Sequence, residues 1–151
     1  MGQESTSTAL YSGTFERSLD AKNRVAIPSA WVSGEGEEFH VVPHPKEKFL
    51  MVMRAEELGK WEQRFQESAR LTPKEKRSAI RAFYASARAV STDKQGRIVL
   101  AEPHCAWAQL AGDAIFIGSP GRIEIWSSEN FAANEGTNNS ALQAAAEEAG
   151  L

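Results

Sequence analysis

Apolar and polar residues alternate along this chain in short blocks, and the blocks return in the same order. Tyr11, Phe15 and Leu19, with Ser and Glu between them, predict a half-buried strand. A turn, Asp20-Ala-Lys-Asn-Arg24, leads into a β-branched run over 25–27 that stops at Pro28, and a short helix is expected over 29–32. Residues 39–42 and 49–53 read as two more strands, with His44-Pro45-Lys46 as the turn between them. The period then changes. Leu58, Trp61 and Phe65 recur at helical spacing among Arg and Glu. Thr72-Pro-Lys-Glu75 is a helix start: Thr72 caps, Pro73 suits the first position and Glu75 closes a capping box. Two helices are therefore expected, over 54–69 and 72–83. A strand near 84–91 follows, then the turn Asp93-Lys-Gln-Gly-Arg97, an apolar run over 98–100 and a short helix opened by Pro103. Strands near 114–117 and 123–126 complete the pattern. Beyond about Asn134 the chain is rich in Ala, Asn and Glu and is expected to be a flexible acidic tail.

Displacing the chain by 73 positions aligns one half with the other without a gap: Tyr11 meets Tyr84, Ser18 Ser91, Asp20 Asp93, Arg24 Arg97 and Glu56 Glu129. Apolar positions also coincide, among them Val25 with Ile98, Ile27 with Leu100, Leu50 with Ile123, Val52 with Ile125 and Leu58 with Phe131. Agreement of both identities and apolar pattern points to an internal duplication.

The repeated Asp-x-x-x-Arg turn asks for particular chemistry. A carboxylate at its first position can accept from backbone N–H groups two residues on. Asn23 and Gly96, in equivalent places, are the residue types that best tolerate a left-handed backbone. Arg24 and Arg97 then begin strands with their guanidinium groups projecting from the turns. Taken alone, either copy reads as a tight hairpin pinned by an Asp–Arg pair. Duplication in register, with Lys22 and Lys94 alongside, shifts the reading towards a binding surface.

Composition alters this picture only at the margins. With 151 residues, 42% apolar and 25% charged, the chain suits one compact domain or two half-size units packed together. No apolar run approaches the ~18 residues of a membrane helix, and residues 1–10 lack the features of a secretory signal. Gly2 with Thr6 matches a loose myristoylation pattern, for which a flexible start is the simpler explanation. A lone Cys105 leaves no internal disulfide, so a reducing compartment, the cytoplasm, is expected. The net charge of −3 argues weakly against nucleic acid, but charge is unevenly spread. From Ser127 onward the charged residues are all acids (Glu129, Glu135, Glu147 and Glu148). Between Arg70 and Arg97 the acids are only Glu75 and Asp93, amid eight basic residues. Lys74, Arg77 and Arg81 within that stretch share a helix face and read either as solvated or as meeting a neighbour's acids.

The tandem turns and their flanks resemble the MraZ family of bacterial transcriptional regulators. The resemblance rests on Asp20-Ala-Lys-Asn-Arg24 running into Val25-Ala-Ile-Pro28, Asp93-Lys-Gln-Gly-Arg97 running into Ile98-Val-Leu100, the closing strands Phe49-Leu-Met-Val-Met53 and Ile123-Glu-Ile-Trp126, and Trp61. It covers roughly residues 10–134. It implies an α+β, mainly β fold: a duplicated SpoVT-AbrB-like swapped-hairpin barrel, a pseudo-dimer within one chain, with helices following each unit. The expected layout is a flexible N-terminus over 1–9, a first repeat over 10–62, connecting helices over 63–83, a second repeat over 84–134 and an acidic tail over 135–151. It further implies that double-stranded DNA of the protein's own promoter is the partner, bound through short guanine-rich direct repeats. The subunits would assemble as closed rings, and the output would be repression of the division and cell-wall gene cluster on the nucleoid. By carry-over, Arg24 and Arg97 are the principal DNA contacts, and Asn23, beside Arg24 in the first loop, is a further DNA-binding residue. Lys22 and Lys94 reach phosphates, and Asp20, Asp93 and Gly96 shape the loops. No cofactor, metal, membrane or small-molecule substrate is implied.

Rival readings are another swapped-hairpin regulator or antitoxin, which usually carries one unit per chain, and a barrel used only for protein contacts. In the latter, Arg24 and Arg97 would be structural. An enzyme finds little support: His40 and His44 sit in a strand pattern with Pro43 between them, and His104 beside Cys105 lacks the further ligands of a zinc site. Trp31, Trp61, Trp107 and Trp126 read as core or subunit-interface anchors.

Overall fold

The protein is described from a computed structural model covering residues 10–134 and 138–151. Along the chain come β1 (Thr14–Ser18), β2 (Arg24–Ala26), β3 (Glu38–Pro43), β4 (Leu50–Met53), α1 (Ala55–Glu67), α2 (Pro73–Ser86), β5 (Arg88–Ser91), β6 (Arg97–Val99), α3 (Glu102–Ala108), β7 (Asp113–Ser119), β8 (Arg122–Trp126), α4 (Ser128–Ala133) and α5 (Asn139–Glu148). The fold is α+β. Six strands form an antiparallel sheet in the order β1-β7-β8-β4-β3-β5, and β2 with β6 forms a separate two-stranded ribbon.

The sheet is symmetric about its centre. β4 and β8 lie side by side, with Leu50 opposite Ile125, Met51 opposite Glu124 and Val52 opposite Ile123. Met51 and Glu124 are related by the 73-position offset, so they mark the axis, and the flanking pairs exchange across it. The outer strands are swapped between halves: β1 pairs with β7, and β5 pairs with β3. Neither half therefore closes its own sheet. The six-stranded sheet exists only as the two halves together.

All four residues of β4 are buried, which is why 49–53 carries an unbroken apolar run. Leu50 and Val52 face a core shared with Val25, Phe39, Val41, Ile98, Phe116, Ile123 and Ile125. Phe49, Met51 and Met53 face the helices and pack with Leu58 of α1, Phe83 of α2 and Trp126. Trp61 stacks on Phe83 at 5.1 Å, which ties α1 to α2. α2 begins with the capping box expected at Thr72 and Glu75.

Three local expectations are corrected. Residues 29–32 form a turn, not a helix: Trp31 N–H donates to the Pro28 carbonyl (2.9 Å), and the indole is held edge-on by Tyr11 and Phe15. The strand expected near 84–91 starts only at Arg88. α2 runs on through Ser86, burying Phe83 and offering the Ser86 carbonyl to His104 Nε2 at 2.9 Å. The tail expected to be unstructured forms α5, in which Asn138 caps the Ala141 N–H (2.9 Å) and alanines supply helix propensity. Residues 1–9 and 135–137 of the two expected flexible segments lie outside the described residues.

Candidate nucleic-acid interface

Both Asp-x-x-x-Arg turns close in the same way. The backbone N–H groups of Lys22 and Arg24 donate to Asp20 Oδ1, each at 2.9 Å. Those of Gln95 and Arg97 donate to Asp93 Oδ1, again at 2.9 Å. Asn23 N–H reaches the Asp20 carbonyl and Gly96 N–H the Asp93 carbonyl, each at 3.0 Å. Asn23 has φ of 60° and Gly96 of 74°, so each turn needs one left-handed residue at this point. These backbone donors, first of all Arg24 N–H for Asp20 and Arg97 N–H for Asp93, hold both carboxyl groups below the usual range. The turns are thus charged and closed at neutral pH.

The second carboxylate oxygen takes the arginine. Arg24 Nε lies 2.6 Å from Asp20 Oδ2, and Arg97 Nε lies 2.8 Å from Asp93 Oδ2. Only Nε is engaged: among the described residues, neither arginine uses its two terminal nitrogens in a hydrogen bond. The pair fixes the direction of the guanidinium and leaves its forked end unspent, with the side chains 35% and 31% exposed.

The ribbon places the two arginines together. Arg24 pairs with Val99, Val25 with Ile98 and Ala26 with Arg97. Val25 and Ile98 are fully buried and face the core. Strand alternation therefore puts Arg24, Ala26, Arg97 and Val99 on the opposite, outer face. Their register sets the Arg24 and Arg97 backbones about 8 Å apart on the diagonal. The ribbon is locked at both ends by Ile27 N–H to the Gly96 carbonyl (3.0 Å) and Leu100 N–H to the Asn23 carbonyl (2.9 Å). Asn23 thus contributes its backbone to the ribbon, the counterpart of Gly96. Lys22 and Lys94 are exposed on the turns but in non-equivalent places: Lys22 corresponds to Gln95, and Lys94 to Ala21.

Sequence reasoning missed Val99. A valine within Ile98-Val-Leu100 looks like core, yet Val99 is 55% exposed, and only the pairing register reveals its direction. It also missed the brace behind the second turn. Buried Thr92, just before Asp93, accepts from Glu37 N–H (2.9 Å) and donates to the Gly34 carbonyl (2.6 Å). The Glu37 carboxylate accepts from Arg54 (2.6 Å), Ser33 and Gly34, and its pKa is lowered to about 2, chiefly by the bond from Arg54. The first turn has a simpler brace, Leu19 N–H to the Gly112 carbonyl at 2.9 Å.

The other candidates have structural settings. His44 Nδ1 accepts from the backbone of Lys46 and Glu47 and caps the turn there. Cys105 is buried in α3, and burial pushes its thiol up, away from a reactive thiolate. No group of three His, Cys, Asp or Glu among the described residues is placed to hold a metal, and no helix among them is long and apolar enough to cross a membrane. Lys74, Arg77 and Arg81 are exposed. Trp31 and Trp126 are buried, whereas Trp61 and Trp107 line an open groove of about 1010 Å³ with Phe65 and Phe83.

Two hairpins that exchange strands about a shared axis, each delivering an Asp-held arginine to one face of a common ribbon, define a tandem swapped-hairpin protein. A family model described as "MraZ protein, putative antitoxin-like" matches residues 83–151. A protein of Acetivibrio thermocellus named "Transcriptional regulator MraZ" is 33% identical over 138 residues, covering 91% of this chain and 95% of that one. Relatives of the same name from Thermoanaerobacter sp. (38% over 117 residues, 78% and 80% of the two chains) and Clostridium tetani (32% over 122 residues, 81% and 84%) are also similar. The chain belongs to the MraZ family of transcriptional regulators. Its relatives are named for regulation, not for an enzymatic activity.

Proposed function

We propose that this protein binds double-stranded DNA sequence-specifically by laying the β2–β6 ribbon against the major groove. The observation that carries the reading is the placement of Arg24 and Arg97 on one outer face, each held through Nε with its terminal nitrogens unspent. A major groove about 12 Å wide admits a two-stranded ribbon, and an arginine fork matches O6 and N7 of guanine, for about 1–3 kcal/mol of discrimination. Lys22 and Lys94, at the turn edges, suit the flanking phosphates. Asp20, Asp93, Asn23 and Gly96 shape the turns.

Two arginines give one subunit only modest affinity. In this reading several copies assemble into a closed ring, and the ring engages guanine-rich direct repeats in the promoter of its own gene cluster, repressing division and cell-wall genes on the nucleoid. Simultaneous engagement of spaced sites raises affinity by ~10²–10⁴ without a new kind of contact. The groove lined by Trp61, Phe65, Phe83 and Trp107 is an apolar surface suited to contact between copies. The two halves act as two copies of one unit, over 10–62 and 84–134, joined by the helices between.

Footprinting on the DNA upstream of the protein's own gene tests this directly. Protected guanines at regular spacing, and a reporter from that promoter that rises when the protein is removed, are expected. Uniform or absent protection overturns the DNA-reading role, and a reporter that falls overturns repression.

A further inference from the structure

The ribbon is symmetric in backbone but not in side chains. Turning it about the Val25–Ile98 pair exchanges Arg24 with Arg97 and Ala26 with Val99. The arginines superpose in type; the residues between them do not. A ribbon with identical halves would meet a duplex equally well in either direction. Val99 breaks that equivalence at the end of the ribbon where Arg24 lies. It lies directly opposite Arg24 and two residues from Arg97, on their side of the ribbon, and 55% of it is exposed. Ala26, in the equivalent place, carries one methyl group and is half-buried.

Among base edges in the major groove, the apolar group is the C5 methyl of thymine. A branched apolar side chain beside a guanidinium that takes guanine is suited to an adjacent thymine. We propose that Val99 is a specificity-determining residue: it packs on one thymine methyl next to the guanine read by Arg24, and its mismatch with Ala26 gives the ribbon a direction on DNA. This rests on the DNA-binding function proposed above. Direction matters for a pseudo-symmetric reader, because direct repeats present every site the same way round. Lys22 where the second turn has Gln95, and Lys94 where the first has Ala21, add an asymmetry of charge to this asymmetry of shape.

The test replaces each thymine of a footprinted site, one at a time, by deoxyuridine, which removes only the methyl group. Affinity is measured by fluorescence anisotropy for wild type, Val99→Ala and Val99→Thr. One position is expected to weaken wild-type binding about fourfold, the worth of one buried methyl group. Val99→Ala is expected to bind the unmodified site about fourfold less tightly and to ignore the substitution at that position. Val99→Thr, which keeps a branched side chain and one methyl, is expected to retain part of the sensitivity. Circular dichroism of both variants should match wild type, because the side chain is exposed. Specific wild-type binding with no sensitive thymine, or with the same sensitivity in Val99→Ala, overturns the inference and leaves DNA reading intact. Failure of wild type to distinguish the promoter site from scrambled DNA overturns both.

Discussion

Arg24 and Arg97 each give Nε to an aspartate, 2.6 and 2.8 Å away, and keep the forked end free. An arginine on a flexible turn would lose rotamer freedom on meeting a base; here the aspartate has already removed much of it. Asp20→Ala and Asp93→Ala are therefore expected to weaken promoter binding through loss of this preorganisation, by less than removal of the arginines themselves. Lys22→Ala and Lys94→Ala should act differently. Each should weaken promoter and scrambled DNA alike and lower the slope of log affinity against log salt by about one unit, as loss of a phosphate contact does. The two aspartates titrate below their ordinary 3.8 in the folded protein. Their contribution is therefore present above 3.8 and lost only as pH falls through the lower folded values. Carboxyl-carbon NMR titrations should give midpoints under 3.8 for both, and the Asn variants should abolish those transitions. The sequence shows these residues plainly, because Asp, a left-handed residue and Arg at fixed spacing serve one local purpose. It conceals Val99, whose direction depends on a strand 73 positions away.

At the scale of elements, most strands and both long helices are legible from period and capping. The Thr72 and Glu75 capping box forms as its spacing demands. Local pattern does not reveal which strands pair: β1 joins β7 and β5 joins β3 because exchange across the axis buries both hairpins in one sheet. The brace at Glu37 is equally non-local, since it joins Ser33, Gly34 and Arg54 and lies against Thr92. Glu37→Gln should cost about 1.5–3 kcal/mol in chemical denaturation, the range for hydrogen bonds to a charged group. Because its pKa falls from 4.5 to about 2 on folding, the stability it contributes is present above 4.5. That contribution fades as pH drops towards 2, and the Gln variant should show a flatter acid limb. Gly118 marks another non-local contact. A Cβ there would stand 2.5 Å from the backbone of Tyr11 and Ser12. Gly118→Val should displace that segment from Trp31 and lower the melting temperature.

At the scale of the molecule, the described strands repeat about an axis between β4 and β8, with the proposed reading face on the β2–β6 ribbon and an apolar groove among the helices. The groove lies between α1, α2 and α3, with Lys46 and Arg88 at its edges. If copies meet there, Phe65→Glu and Trp107→Glu should each yield a smaller species in light scattering while circular dichroism stays unchanged. They should also weaken binding to repeated sites far more than to a single site, because the gain from multivalency is lost. An acidic total charge is compatible with the proposed DNA reading, since that reading uses basic groups local to two turns and a low overall charge limits electrostatic attraction to arbitrary DNA.

In the proposed function the two Asp-held arginines read DNA and do not merely pin their turns. Fluorescence anisotropy tests it most directly, using DNA from upstream of the protein's own gene and a scrambled control. Wild type is compared with the Arg24→Ala/Arg97→Ala double variant across a salt series, with melting curves recorded alongside. Specific wild-type binding is expected, lost in the double variant while it still folds. Promoter binding retained by the double variant, or a double variant that unfolds because the arginines are structural, would contradict this reading.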